Sequence, residues 1–252
     1  MFGFTKVLRN LGDDLGFAKL TIGSCVVLFV LMLVTDPSAI GGGGLFSFLE
    51  PGFRSSFLFG ATGTIPVLQF GRWWTILSAI WLHGGILHIG FNMMWAYQLV
   101  PPVARLYGAS RTVILYIGAG AAGFLATILA SFIPVLSVIP FLHPAELTLG
   151  ASGAILGLLG ALVFYGRRTG SSMVGRQAMS YALFLIVFGL VMARVDNWAH
   201  LGGFGGGYLI ARWLDPLKPE RIDHTILALA LLGLSLLSIL LSIVLGLPLI
   251  RQ

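Results

Sequence analysis

The chain has 252 residues, of which 57% are hydrophobic and 10% are charged, and its mean hydropathy is +0.96. Soluble domains carry roughly 25% charged residues, so this composition excludes an ordinary soluble protein and indicates a polytopic membrane protein. The net charge of +6 lies in short loops between apolar segments, which argues against a nucleic-acid partner. The single cysteine, Cys25, excludes a disulfide framework and a Cys-based metal site.

Residues 1–17 are predicted to be a cytoplasmic N-terminal segment. They include Asp13 and Asp14, and they have neither an apolar core nor a cleavage-site pattern. They therefore lack the features of a signal peptide.

Seven segments are apolar enough to be membrane spans, each of which needs about 20 residues with a range of about 17–25. The predicted fold is thus an all-α polytopic membrane protein. In chain order the spans are Ala18–Val34, Ile80–Val100, Thr112–Ile133, Gly150–Gly166, Ala178–Ala193, Trp198–Leu214 and Ile226–Leu247.

Three connections are distinctive. Residues 35–79, rich in glycine and aromatics, are expected to form short helices in the outer interface, where the tryptophans of "RWW" at 72–74 are favoured. The alternative is a disordered glycine linker. Residues 134–149 contain three prolines and cannot continue a helix. Residues 215–225 are predicted to be a cytoplasmic linker before the last span, and 226–252 to hold that span and an outer C-terminus.

The distribution of basic residues predicts the orientation. With the N-terminus in the cytoplasm, eleven Lys and Arg residues fall on the cytoplasmic side and four on the outer side. Cytoplasmic loops carry the excess of Lys and Arg, so we predict a cytoplasmic N-terminus and, with seven spans, an outer C-terminus.

Ionisable residues within spans are rare and usually functional. Three of the five histidines, His83, His88 and His200, lie within predicted spans. The other two, His143 and His224, fall in loops and are expected to be exposed to solvent.

The spacing of polar residues assigns helix faces. His88 and Asn92 are four residues apart and share one face. His83 lies about 140° away at 100° per residue, so we expect it to turn back into the preceding loop.

Glycines predict how the fourth and sixth spans pack. Gly153 and Gly157 in one, and Gly203 and Gly207 in the other, form small-residue faces that let helix backbones approach closely. This packing would bring Ser152 near His200. In the predicted topology His88, Ser152 and His200 also lie at similar depth, because spans two, four and six run in the same direction.

Ser152 lies between residues with almost no side chain, and Gly150 and Gly153 leave room for a substrate backbone. A serine beside a histidine is typical of acyl-transfer chemistry. No carboxylate lies in these spans, so the hypothesis is a Ser152–His200 dyad. The Ser152 amide at a helix start, with His88 and Asn92, would stabilise the oxyanion.

Other interpretations remain open at this point. Ser152 alone is most often a packing residue in a glycine-rich span, and His200 alone would often be an interhelical hydrogen-bonding group. A zinc site of His83, His88 and His200 is a weaker alternative, because neither an HExxH motif nor a nearby carboxylate supports it.

The stretches "LHGGILHIGFNM", "LGASGAILGLLGA" and "NWAHLGGFGGG" resemble the motifs of the rhomboid family of intramembrane serine proteases. The resemblance covers residues 18–214, predicted to be a six-span catalytic core. It implies that Ser152 is the nucleophile, His200 the base, and His88 and Asn92 the oxyanion-hole residues together with the Ser152 amide. It also implies that His83 organises the loop above the site, and that neither a metal nor a cofactor is needed.

The chain departs from the family pattern in two places. Thr75 stands where the arginine of a Trp-Arg pair would fall, with Arg72 displaced, and Ala104 stands near the place of a usual glutamate. The seventh span lies outside the six-span core. It is expected to offer nothing to the chemistry, so that a chain ending after about Glu220 still cleaves.

The resemblance implies cleavage of single-pass or polytopic membrane proteins within or near their membrane segments, at a site opening to the outer side of a bacterial inner membrane. The alternatives are a catalytically silent helix-binding escort protein and a small-solute transporter. The oligomeric state is left open. Phe91 is predicted to face a gap towards the fifth span, near Phe184 or Phe188, as a substrate gate; otherwise it faces lipid or is packed.

Overall fold

The computed structural model describes residues 15–36, 49–192 and 195–250. This part of the chain is helical, and outside the helices it contains an isolated antiparallel bridge between Thr62 and Thr148 but no strand. The α-helices are α1 (Gly16–Thr35), α2 (Phe53–Phe59), α3 (Thr75–Ser78), α4 (Ile86–Tyr107), α5 (Ala109–Ala130), α6 (Ser152–Thr169), α7 (Ser172–Val191), α8 (Asn197–Leu214) and α9 (Ile222–Ile250). The predictions for residues 1–14, the glycine run 41–44 and the end of the fifth span at Ala193 lie outside the described residues.

Four helices of the described chain are long and apolar enough to cross a membrane: α1, α5, α7 and residues 222–248 of α9. A fifth span results if Thr75–Trp81 and α4, which meet at 89°, count as one. The two 18-residue helices α6 and α8 are not in this set. The arginines at the end of α6, and the glycines and polar residues of α8, lower their mean hydropathy. An all-α protein with four to five membrane-capable helices is therefore established, and the count of seven spans stays a prediction.

The second predicted span is broken near its start, which corrects the expectation of a continuous segment over Ile80–Val100. A 3₁₀ turn over Ala79–Trp81 ends at Leu82, which has extended backbone, and α4 begins only at Ile86. Gly84 and Gly85 lie in the break, and paired glycines weaken a helix through their backbone freedom. The break gives His83 a place in a loop above α4.

The two long connections contain only short helical pieces in their described parts. Residues 49–79 form α2, a π-helical turn over Ile65–Gln69, and α3, which confirms the short helices expected there. Residues 134–142 form two 3₁₀ turns, Pro134–Val138 and Pro140–Leu142, as three prolines in this connection require.

Helix α6 lies at the centre of the bundle, and its residues 153–163 are all buried. It packs most extensively on α8, which also packs on α5. A Cβ at Gly203 would overlap the carbonyl oxygen of Gly153, and one at Gly207 would overlap that of Gly157. The predicted close approach of these glycine faces is therefore confirmed.

Helix α9 runs along one side of the bundle and packs on α5 near its start and on α2 and α3 near its end. Near its start the buried Arg111 of α5 donates from Nη1 to the carbonyl of Lys218 at 2.8 Å and from Nε to Nδ1 of His224 at 3.2 Å. The backbone amide of Arg111 donates to Glu220 Oε1 at 2.9 Å. The side chain of His224 is only 13% exposed, so the expectation that it is simply exposed to solvent was wrong.

Candidate active site

Ser152 and His200 meet where α6 and α8 begin. Ser152 is the first residue of α6, His200 lies in the first turn of α8, and Nε2 of His200 is 2.8 Å from Oγ of Ser152. His200 is 7% exposed and Ser152 is partly exposed. Because the glycine faces of the two helices nearly touch, their first turns are close enough for this side-chain contact. The pair is therefore a hydroxyl and an imidazole at hydrogen-bonding distance, of which the imidazole is buried and the serine is partly exposed.

The segment before Ser152 is held by backbone hydrogen bonds to residues far earlier in the chain. Thr148 and Thr62 exchange two bonds, of 2.7 and 2.9 Å, and the amide of Gly150 donates to the carbonyl of Ala79 at 2.9 Å. Gly150 has a φ of +135°, and a Cβ there would lie 2.7 Å from Nε2 of His88. Only glycine adopts this φ without strain and leaves room for His88. Gly150 therefore allows His88 to pack against the segment before Ser152.

His88 of α4 lies against the segment before Ser152, and Asn92 follows it on the same helix face. The amide of Gly84 donates to Nδ1 of His88 at 3.2 Å, so a neutral His88 carries its proton on Nε2, the atom beside Gly150. Nδ2 of the buried Asn92 donates to the carbonyl of His88 at 2.8 Å, and this bond uses one of its two amide protons. His88 therefore presents a proton donor beside Gly150, two residues before Ser152, and Asn92 lies one turn further along α4.

His83 lies beside His88, in the break between the 3₁₀ turn and α4. It is fully buried, and its ring centroid is 5.2 Å from that of His88, with the rings inclined at 66°. It packs on His88, whose Nε2 in turn lies beside Gly150. Among the described residues no three His, Cys, Asp or Glu side chains converge to hold a metal, so the three-histidine zinc alternative has no donor set there.

The start of α8 is fixed by Asp196, which sequence patterns did not single out as functional. Its carboxylate accepts a bond from the amide of Ala199 at 3.0 Å and from the hydroxyl of Thr127 in α5 at 2.7 Å. Burial raises the pKa of Asp196, and these hydrogen bonds act against that rise. An acidic residue immediately before a helix is a recognisable N-cap signal. Here its bond to Thr127 fixes the start of α8, which carries His200, against α5.

Two further residues lie against the far side of His200 and were also missed. A Cβ on Gly189 of α7 would lie 3.0 Å from Nδ1 of His200 and 2.8 Å from Oδ1 of Asn197. Both of these atoms are buried, and neither has a hydrogen-bond partner in the part of the chain that the structure describes. Asn197 is anchored through Nδ2, which donates to the carbonyl of Phe141 at 2.9 Å. A lone glycine in an apolar helix is a weak signal, and nothing local links it to a histidine eleven residues away.

Phe91 is a residue of α4, and its ring lies against α7. It is 51% exposed, and its ring centroid is 6.3 Å from that of Phe188, which in turn is 6.3 Å from that of Phe184. The described α7 has only three buried residues: Ala178, Ala182 and Gly189. The boundary between α4 and α7 therefore consists of aromatic side chains on a weakly embedded helix.

Comparison with known proteins identifies the family of the chain. The Rhomboid domain family model matches residues 70–216, which is more than half of the chain and includes Ser152, His200, His88 and Asn92. Rhomboid protease GluP of Bacillus subtilis (strain 168) is 32% identical over 177 residues, which are 69% of this chain and 32% of that protein. RHOMBOID-like protein 4 of Arabidopsis thaliana is 32% identical over 148 residues, 57% of this chain and 34% of that protein.

The aligned part of the chain thus spans about a third of the length of these relatives. The family model covers the chain from Phe70, before α3, to just beyond α8. With its apolar helices and this match, the chain is an integral membrane protein that belongs to the rhomboid family.

Proposed function

We propose that this protein is an intramembrane serine endopeptidase that uses Ser152 as nucleophile and His200 as base. The observation that carries the proposal is the 2.8 Å separation of Ser152 Oγ and His200 Nε2. A serine within hydrogen-bonding reach of a histidine is the arrangement that activates a hydroxyl. Family membership adds support, because the matched relatives include a protein named as a rhomboid protease.

The proposed reaction has two halves. The Ser152 oxygen bonds to the substrate carbonyl carbon while His200 Nε2 takes the hydroxyl proton, and the same nitrogen gives that proton to the amine as the C–N bond breaks. Water then attacks the acyl carbon while His200 Nε2 takes its proton, and as the bond from that carbon to Ser152 Oγ breaks, His200 returns the proton to Oγ and the carboxylic acid leaves. No cofactor enters either half.

The oxyanion formed in each half needs proton donors. The amide of Ser152 has no partner within its own helix, because first-turn amides lack one, and it is a natural first donor. The Nε2 proton of His88 and the second Nδ2 proton of Asn92 are the side-chain donors. One such donor is typically worth about 2.7–4 kcal/mol of barrier.

The proposed substrates are single-pass or polytopic membrane proteins that enter from the bilayer. We also propose that α6 and α8 cross the membrane, which makes six spans plus α9, with a cytoplasmic N-terminus in a bacterial inner membrane. The site would then open to the outer side. Support comes from the excess of Lys and Arg in the loops assigned to the cytoplasm.

A fluorophosphonate probe tests the proposal directly. The purified protein should be labelled covalently, Ser152→Ala should abolish labelling, and Ser180→Ala, which changes an exposed serine of α7, should leave it unchanged. The alternative, a catalytically silent helix-binding protein, predicts no labelling of the parent. Labelling that survives Ser152→Ala would overturn the enzyme assignment.

A further inference from the structure

Helix α9 presents a face of buried serines to the segment around Trp74. Ser235, Ser238 and Ser242 are spaced by three and four residues and are all at most 3% exposed. Ser238 Oγ donates to the carbonyl of Trp74 at 2.6 Å, and the indole N–H of Trp74 donates to Ser242 Oγ at 3.0 Å. Two of the three serines thus hold Trp74 by its backbone and by its side chain.

Arg72 strengthens the same junction. Its side chain is buried, Nη1 donates to the carbonyl of Phe57 at 2.8 Å, and Nη2 donates to the carbonyl of Ser242 at 2.9 Å. Its guanidinium carbon also lies 4.3 Å from the centroid of the Phe57 ring. A single planar side chain therefore ties α2 and α9 together.

Small residues allow this close approach. A Cβ at Gly246 of α9 would lie 3.1 Å from Leu58 Cδ1 and 3.4 Å from Leu58 Cα. Gly60, just after α2, has a φ of +100° and lies directly against Ser242 and Ser78. The contact is thus a packed interface and not a chance crossing of side chains.

From this junction hydrogen bonds continue to the segment that carries the nucleophile. The Thr75 hydroxyl bonds to the Thr62 hydroxyl at 3.0 Å. Thr62 exchanges its two backbone bonds with Thr148, and Gly150 donates to Ala79 just after α3. Residues 148–150 are therefore held by the elements that α9 holds, only two positions before Ser152.

We propose that α9 is a positioning element for the active site: Ser238 and Ser242, through Trp74 and Arg72, keep the segment 148–152 in place against His88 and His200. The inference rests on the proposed function. It also reassigns the role of the displaced arginine, because Thr75 occupies the place where the family resemblance puts an arginine, and Arg72 anchors the same region to a helix outside the six-span core. The proposal departs from the expectation that a chain ending after about Glu220 still cleaves, because it predicts that such a chain loses cleavage.

The test compares a Ser238→Ala and Ser242→Ala double variant with Ser235→Ala. Ser235 lies on the same buried face, and its hydroxyl has no partner among the described residues, so it is a matched control for losing a buried oxygen. Cleavage of a transmembrane substrate and the rate of fluorophosphonate labelling are measured well below each variant's unfolding midpoint. Amide hydrogen exchange of a peptide covering residues 145–151 is measured in parallel.

We expect the double variant to lose about tenfold or more in kcat and in labelling rate with KM unchanged, because misplacing reacting groups by about 1 Å can cost about 10²-fold. Exchange in residues 145–151 should become faster. Ser235→Ala should match the parent in all of these measurements. A purely structural role would lower the unfolding midpoint and leave kcat and exchange in this segment unchanged.

Trp74→Phe provides a second, milder variant that removes the indole N–H and keeps an aromatic ring. It should reproduce the effect of Ser242→Ala, and the two changes together should be no worse than either alone, because they break one bond. A folded double serine variant with parental kcat and parental exchange would overturn the positioning proposal. An unlabelled parent whose exchange still responds to the serines would overturn the proposed function and leave the positioning contact standing.

Discussion

Gly203 of α8 faces the carbonyl oxygen of Gly153 in α6 so closely that a Cβ at position 203 would overlap it. This backbone contact lies close to the pair of Ser152 and His200, since Gly153 follows Ser152 and Gly203 lies one turn after His200. The separation of Ser152 Oγ and His200 Nε2 is therefore controlled by how closely two helix backbones approach.

Gly203→Ala is predicted to push α8 away from α6, and overpacking of this kind costs about 1–3 kcal/mol of stability. Cleavage should fall by more than tenfold even in the folded fraction, because Ser152 and His200 separate. Gly205→Ala on the same helix is the matched control, since a Cβ there would meet nothing within 4 Å. Unfolding midpoints from thermal melts measure the loss of stability. Equal cleavage activity of the two variants would contradict this prediction.

Ser152→Ala and His200→Ala should each abolish cleavage, and each protein should remain folded because both changes only shorten a side chain. The double variant should be no worse than either single one, since the pair acts as a unit. Rates are measured on a transmembrane substrate with circular dichroism as the folding check. Activity of His200→Ala within about tenfold of the parent, roughly 1.4 kcal/mol of barrier, would mean that another group is the base.

Asn92→Ala should lower kcat by about 10²–10³, the usual effect of losing one oxyanion donor. KM should change little, because the donor acts on charge that develops only in the transition state. Steady-state kinetics separate the two parameters. An effect confined to KM would move Asn92 from the oxyanion hole to substrate binding.

Gly189→Ala should impair His200 without touching a substrate. The new methyl group would lie 3.0 Å from Nδ1 of His200, so either the imidazole tilts or α7 moves outwards. We expect a loss of at least about tenfold in kcat, on the scale that small misplacements produce. Gly175→Ala is the control on the same helix, because the nearest atom to a Cβ there is at 3.5 Å; if both variants cleave like the parent, α7 does not constrain the base.

Phe91→Ala should speed cleavage of a transmembrane substrate more than cleavage of a short soluble peptide. The reason is that the Phe91 ring meets Phe188 across the boundary between α4 and α7, where a membrane-embedded substrate would have to pass. The two substrates are compared by kcat/KM in the same lipid. Equal effects on both, or none on either, would remove Phe91 from the gate.

Much of the site was predictable because the signals are local. The glycine spacing of Gly153 with Gly157, and of Gly203 with Gly207, encodes a face of one helix and needs no knowledge of the rest of the fold. The same holds for His88 and Asn92, which share a face of α4. Once the two glycine faces pack, the approach of Ser152 to His200 follows from their positions in the first turns.

Other contacts were not predictable because no local period records them. The bond from Arg72 to Ser242 joins residues 170 positions apart, and it depends on the rotation of α9 about its own axis. Gly189 lies against His200 because α7 packs on α8 at the level of His200. The helix break at 82–85 was hidden in an apolar run, although Gly84 and Gly85 were its visible cause.

The hydrogen bonds of Arg111 have a consequence for how the molecule can move within a membrane. They join residues 218–224 to the start of α5, and Ser242 is joined to Arg72 near the other end of α9. A helix fixed at two points about 20 residues apart can neither tilt nor slide independently of its neighbours. A sideways opening is therefore easier on the side of α7, of which the described part has three buried residues, than on the side of α9.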